Sequence, residues 1–282
     1  MSKSIILVCA HKPDRCLLHE PYMPIQVGKA ISTVDLGFTS DDTGDNISDK
    51  NRSFCELTAH YWAWKNLGEA DYVGLSHYRR YFDFGDECGN VRIVRSNEFF
   101  AEEHPVPDMD KLFEQCDIIL SKPRVQSRNI YTEYARSHRG EDILAVREIV
   151  AERSPEYIEA FDKIFFENNL LARFNMFVMR RADFEEYSEW LFDTLFEAER
   201  RIEVPADPVQ GRIFGYISER LLMVYALHKG MRVNYKAVYM VDDRLKPKRK
   251  WSYDLHRVIN NTHFALRRLV GCHSAKAPEG LK

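Results

Sequence analysis

Asp71-Tyr-Val-Gly-Leu-Ser-His-Tyr-Arg-Arg-Tyr-Phe82 is an apolar strand that runs straight into a histidine and two arginines. Upstream, Ser53-Phe-Cys-Glu56 has capping-box spacing, in which the serine oxygen and Glu56 each satisfy an orphan amide at a helix start. Phe54, Leu57, Tyr61 and Trp64 recur at steps of three and four, giving that helix one buried stripe that ends near Gly68. Helix and strand read as one α/β unit, and in such sheets the carboxyl ends of strands open onto the ligand crevice. His77, Tyr78, Arg79 and Arg80 fall there. Adjacent guanidiniums at a strand end suit an anion with several oxygens, such as a diphosphate, because arginine donates from a rigid fork. The competing reading is that they solvate the strand end or pair with surface carboxylates, with His77 a structural histidine.

Outward from this unit, a composition of 45% hydrophobic and 29% charged residues over 282 positions is that of a folded chain. It supports one α/β domain, or a main domain with a smaller helical lobe. A net charge of −3 argues against a general nucleic-acid binder, so no nucleic acid is expected as a partner. Residues 244–282 nevertheless carry ten Lys and Arg against Asp254 and Glu279, a net of +8 that leaves −11 for the rest. Such a separation marks a basic tail with its own partner. The six cysteines form no CxxC pair and no close Cys/His cluster, which fits a reducing compartment without structural zinc. No apolar run reaches membrane-spanning length, and a cytoplasmic body is expected.

In chain order, Ile5-Ile-Leu-Val8 reads as a buried first strand ending at His11-Lys-Pro13, where His11 or Lys12 can reach a base or phosphate. Tyr22 to Gly28, with Pro24, reads as a shaped loop. Asp41, Asp42, Asp45 and Asp49 can bind a metal, hydrogen-bond sugar hydroxyls or supply a base, although an ordinary acidic loop has the same composition. The spacing excludes an EF-hand. Val91–Val94 is a short edge strand, and Cys116–Leu120 an inner strand followed by a second basic set, Lys122 and Arg124. Residues 130–166 turn helical and charged. Asn175–Met179 is a strand leading to a helix with Phe184, Tyr187, Trp190, Leu191 and Leu195 on its core face. Glu219 and Arg220 fall in the first turns of a helix after Gly211 and Gly215. A carboxylate on a rigid helix start is held better for proton transfer than one in a loop, and an Arg/Glu ion pair is the alternative. Val233–Val241 is a last strand. Beyond it, Lys246-Pro-Lys-Arg-Lys-Trp251 and an amphipathic helix with Leu255, Ile259, Leu266, Arg257 and Arg268 suit an anionic lipid surface.

Several of these stretches together resemble the DUF4422 glycosyltransferases of bacterial polysaccharide biosynthesis. They include His11-Lys-Pro13, Pro24-Ile-Gln26, Asp42-Thr-Gly-Asp-Asn-Ile-Ser48, Tyr61-Trp-Ala-Trp-Lys-Asn66, Gly74-Leu-Ser-His-Tyr-Arg-Arg-Tyr-Phe82 and Phe214-Gly-Tyr-Ile-Ser-Glu-Arg-Leu-Leu222. The resemblance covers roughly residues 5 to 240 and leaves the basic tail outside. It implies an α/β fold with a GT-A-like central mixed sheet flanked by helices, with a helical insertion at about 128–170. The domain is expected over 1–243 and a basic C-terminal extension over 244–282.

The resemblance further implies a nucleotide-sugar transferase making capsular, O-antigen or other exopolysaccharide. Galactofuranose from its UDP derivative is the leading donor, and a UDP-hexopyranose or a non-catalytic sugar-nucleotide-binding role is the alternative. GT-A enzymes commonly hold the donor through a metal on an Asp-x-Asp at the end of an inner strand, whereas Tyr72–Ser76 runs into His77-Tyr-Arg-Arg80. The expectation is therefore that no metal is required, with Asp41, Asp42 and Asp45 leaving Mn2+ or Mg2+ open. Glu219 is the first choice for the base of an inverting displacement and Asp45 the second. His11, Lys12, Asp42, His77, Tyr78, Arg79, Arg80, Lys122 and Arg124 are expected on the donor. The acceptor is a glycan, in one version linked to a lipid diphosphate at the inner face of the cytoplasmic membrane.

Overall fold

Ser4–Ala10 forms β1, a near-continuous apolar run with parallel neighbours on both sides, as a strand buried on both faces should have. The neighbours are β2 (Tyr22–Gln26) and, after β3 (Thr39–Ser40) on the far side of β2, the central β4 (Tyr72–His77). The computed structural model describes residues 2–85, 89–245 and 250–272. Tyr22–Gln26 is thus a strand where a loop was expected. Pro24 is tolerated opposite Val8 in a short five-residue strand.

The remaining strands are β5 (Arg80–Asp83), β6 (Val91–Val94), β7 (Ile118–Ser121), the short pair β8 (Arg124–Val125) and β9 (Leu170–Leu171), β10 (Phe177–Arg180) and β11 (Val233–Val241). A GT-A-like open sheet does not form. β4 pairs with β10, β10 with β7, β7 with β11, β11 with β5, and β5 returns to β4 at His77↔Arg80, so five strands close into a barrel. Closure follows from how β4 shares its second edge. β10 occupies it from Tyr72 to Leu75, and the β5 hairpin takes it at His77. The approach is close at Gly74, where a Cβ would meet the Phe177 carbonyl and Val178 Cγ2 at 2.9 Å. The β1–β2–β3 wing continues the sheet outside the barrel, and β6 pairs with β11.

Helices cover this mixed sheet: α1 (Asn51–Phe54), α2 (Leu57–Asn66), α3 (Ser96–Phe99), α4 (Met109–Phe113), α5 (Ile130–Ala135), α6 (Gly140–Arg153), α7 (Ile158–Glu167), α8 (Arg181–Arg201), α9 (Ile213–His228) and α10 (Lys250–Leu269). Alternation along β1 divides the core. Leu7 and Cys9 join one apolar cluster with α2 and α6–α9, whereas Ile6, Val8 and Ala10 join another with Tyr81, Phe99 and Phe113. Helices α5–α7, within the range expected for a lobe, bury Ile143, Phe161 and Phe165 in the first cluster.

The capping box is absent. The chain breaks between α1 and α2 at Cys55, whose φ is 55°, and Ser53 Oγ donates to the Lys50 carbonyl. α10 packs on β8, with Asn260 donating to the Val125 carbonyl at 2.9 Å and Phe264 buried. The basic positions 246–249 lie outside the described residues. Among the described residues, no helix is long and apolar enough to cross a membrane.

Candidate functional site

The parallel register of β1 and β4 pairs Cys9 with His77, so both strands end together, and the chain following each carries the first site residues. His77 is buried, and burial above all, followed by the charge of Arg80, pushes its pKa down to about 3. The ring is therefore neutral, and its Nε2–H donates to the Phe174 carbonyl at 2.6 Å. His11 meets Tyr78 edge-to-face at 5.4 Å. Burial and the positive charges of Lys12, Arg212, Arg79 and Arg80 all lower its pKa.

Hairpin geometry separates the two arginines, because Arg79 is the second residue of the turn between β4 and β5 and Arg80 is the first residue of β5. Arg79 turns to Asp14, which accepts from Nε at 2.8 Å and lies 2.6 Å from Nη2. Arg80 turns inward over the Phe174 ring at 4.6 Å, and its buried Nε has no hydrogen-bond partner. Arg173 stacks near the same ring at 4.7 Å and also has a buried Nε without a partner. Buried donors left open are rare and point to an absent acceptor.

The carboxylates complete the cluster. Glu219 Oε1 accepts the Phe174 amide at 2.5 Å, and 17% of its side chain stays exposed. Burial raises its pKa, and Glu56 raises it further against the opposing effect of Arg220. Glu56 Oε1 accepts from Asn175 Nδ2 at 2.7 Å, and burial raises its pKa too. Both carboxylates act electrostatically on Arg80, and Arg212 acts on Glu56. Among the described residues, Cys55, Phe174 and Asn175, with φ of 55°, 81° and 51°, are the non-glycine residues with positive φ, and all three lie in this cluster. Backbone held in such conformations by surrounding contacts collects at functional sites.

Of the residues singled out in the sequence, the structure gathers His11, His77, Tyr78, Arg80 and Glu219. Asp45 instead accepts from Tyr61 Oη at 3.1 Å in the exposed loop before α1, and Asp42 accepts from Ser40 Oγ at 2.7 Å. Asp41 is buried, holding the amides of Gly28 and Lys29 and the Ser48 hydroxyl. Each carboxylate thus has its own local task, and no group of three metal-ligating side chains gathers among the described residues. Lys12 is exposed. Lys122 is half-buried, its amide bound to the Lys236 carbonyl. Arg124 is exposed, close enough to Arg173 to lower its pKa. Glu56, Arg173, Asn175 and Arg212 were not anticipated. Asn175 alone carried a local signal, since asparagine is enriched in left-handed backbone.

Residues 5–230 match the domain of unknown function DUF4422. The chain belongs to the DUF4422 family. This DUF4422 domain is similar to an apo structure of the bifunctional glycosyltransferase WbbM, at 35% identity and a TM-score of 0.77. The similarity covers 86% of the present chain and 46% of that one, so the DUF4422 chain spans less than half of its structural relative. No curated protein matches it.

Proposed function

We propose that the chain is an inverting glycosyltransferase that moves a sugar from a UDP-sugar donor to a glycan acceptor. The observation that carries this is the gathering around the Phe174 segment of Glu219, a carboxylate of raised proton affinity, with Arg80 and Arg173, whose buried Nε atoms have no partner. The likeness to WbbM supports it.

In the proposed step, Glu219 takes the proton of an acceptor hydroxyl as that oxygen bonds to the anomeric carbon. The bond from that carbon to the diphosphate oxygen breaks, and its electron pair leaves on UDP. Arg80, Arg173 and Arg212 face the growing negative charge, which preorganised donors stabilise best where water is scarce. Glu56, fixed by Asn175, keeps the cationic cluster from being wholly uncompensated.

Galactofuranose is the first donor to test, ahead of a UDP-hexopyranose. No metal is assigned, because Asp41, Asp42 and Asp45 are engaged separately and do not converge on the cluster. The outer face of α10 is proposed to rest on an anionic membrane surface. Leu255, Ile259 and Leu266 form an exposed apolar stripe opposite the docked Asn260 and Phe264. This would place the protein at the inner face of the cytoplasmic membrane.

The decisive experiment offers purified protein a panel of UDP-sugars with and without EDTA and measures UDP release and acceptor labelling. Turnover with one UDP-sugar that survives EDTA is expected. Binding of UDP with neither hydrolysis nor transfer would make the chain a sugar-nucleotide-binding protein instead.

A further inference from the structure

A second concavity of about 440 Å³ opens on the other side of Glu219 and Arg220, walled by α5, β8 and α10. Its charge is one-sided, with Arg124, Arg128, Arg136 and Arg220 set against Glu133 alone. Arg128 is paired with Glu133 at 3.3 Å. Arg124 and Arg136 pair with no carboxylate among the described residues. Arg220 is 7% exposed. Its Nη1 donates to the Tyr216 carbonyl at 2.5 Å, its guanidinium lies 5.0 Å from the Tyr134 ring, and its Nε has no partner. Gln126 Oε1, also lining the concavity, is a buried acceptor without a donor.

Consecutive residues on a helix project about 100° apart. Glu219 accordingly turns to Phe174 and the strand-end cluster, whereas Arg220 turns to Tyr134 and this second space. The two touch at 3.5 Å, so one ion pair stands between the strand-end cluster and this concavity. The arginine-lined space thus adjoins Glu219 through Arg220, on the side away from the strand-end cluster.

We propose that this concavity is an oxyanion pocket for a phosphate or diphosphate group carried by the acceptor. The assignment rests on the transferase reading above. Arg136 and Arg124 would supply the entering charge, Arg220 the buried donors, and Gln126 would accept from a neighbouring hydroxyl. An oxyanion seated on Arg220 also draws that guanidinium away from Glu219, strengthening the carboxylate as a base only once the acceptor is in place. Asn260 belongs to the pocket and to α10, so the pocket lies beside the helix with the exposed apolar stripe.

The test is titration calorimetry of the full chain and of Arg136→Gln, a substitution at an exposed position. Inorganic pyrophosphate, UDP and a short-chain prenyl diphosphate in detergent are each titrated, the first and last with and without saturating UDP. Pyrophosphate and prenyl diphosphate are expected to bind in the presence of UDP and to weaken at least fivefold in the variant. UDP affinity is expected to stay within twofold. Tighter binding of the prenyl compound would identify a lipid-borne group, and equal binding a soluble phosphorylated acceptor. A matching loss of UDP affinity would hand the pocket to the donor and overturn the proposal. So would absence of oxyanion binding, or indifference to Arg136→Gln. Calorimetry needs no turnover, so failure to transfer sugar would sink the transferase reading while the pocket is judged on its own result.

Discussion

Glu219 holds the amide of Phe174, a non-glycine residue at φ 81°, and thereby fixes the segment whose ring supports Arg80 and Arg173. One carboxylate oxygen therefore has a structural task, while Oε2 lies toward Arg220.

Glu219→Gln keeps an oxygen for the Phe174 amide and removes the base. Transfer should fall about 10²–10⁴-fold, the usual contribution of a positioned general base, with the fold retained. Steady-state UDP release and circular dichroism measured together check this. Retention of more than a tenth of the activity would remove Glu219 from the base role.

Arg80→Ala and Arg79→Ala should differ. Arg80 carries an open donor into the cluster, so its loss should lower turnover by about 10²–10³. Arg79 is already satisfied by Asp14 in a partly exposed pair, worth about 0–1 kcal/mol in fold stability, and its loss should reduce rate far less. Equal kinetic losses would place both guanidiniums on the donor.

Glu56 makes a prediction about pH. Burial raises its pKa in the fold above the unfolded value near 4.5, so the native state binds this proton more tightly. Its contribution to stability is fully present below the unfolded value and is lost as pH rises through the folded one. Glu56→Gln keeps an acceptor for Asn175 and has no proton to lose. The melting temperature of the variant relative to the parent should rise between pH 4 and 7.5, while activity falls. A difference that stays flat across that range would show that Glu56 is not destabilised in the fold.

Much of the frame could be read from the chain, and the failures have physical causes. β1 and β4 announce themselves because strands buried on both faces are near-continuous apolar runs bounded by turn residues, and β11 by its alternation. Barrel closure was not legible, since it depends on which edge β10 and β5 share, and nothing in the local pattern of either strand encodes that. Glu56 was misread because its distance from Ser53 imitates a capping box, while the positive φ at Cys55 turns its side chain to Asn175. Arg173 and Arg212 sit in connections, where no periodicity marks a charged residue as facing inward. Glu219 and Arg80 were accessible because each follows directly from the placement of a regular element.

Asn175 ties the two halves of the site together. Its Nδ2 reaches Glu56 and the Gly215 carbonyl, and its Oδ1 accepts from Ser218. Asn175→Ala leaves these partners unpaired and keeps a Cβ at φ 51°, and should cost about 2–4 kcal/mol of stability, the sum of lost buried hydrogen bonds and left-handed strain. Asn175→Gly relieves the strain alone and should recover part of it. Denaturant unfolding of both variants decides the matter, and a neutral Asn175→Ala would mean that the network contributes nothing.

The outer face of α10 gives a test that leaves the strand-end cluster untouched. Leu255, Ile259 and Leu266 are 49%, 39% and 53% exposed, whereas Phe264 on the opposite face is buried and Asn260 holds β8. Replacing the three exposed residues with Glu should therefore change stability by no more than about 0.5 kcal/mol per site, as for ordinary surface substitutions. It should sharply weaken binding to vesicles containing anionic lipid, because it removes apolar insertion and places negative charge against an anionic surface. Turnover on a water-soluble acceptor should be preserved. Sedimentation with vesicles of 30% and 0% anionic lipid, at low and high salt, reads this out. If the triple variant binds as the parent does, the apolar stripe is not a membrane-contact surface.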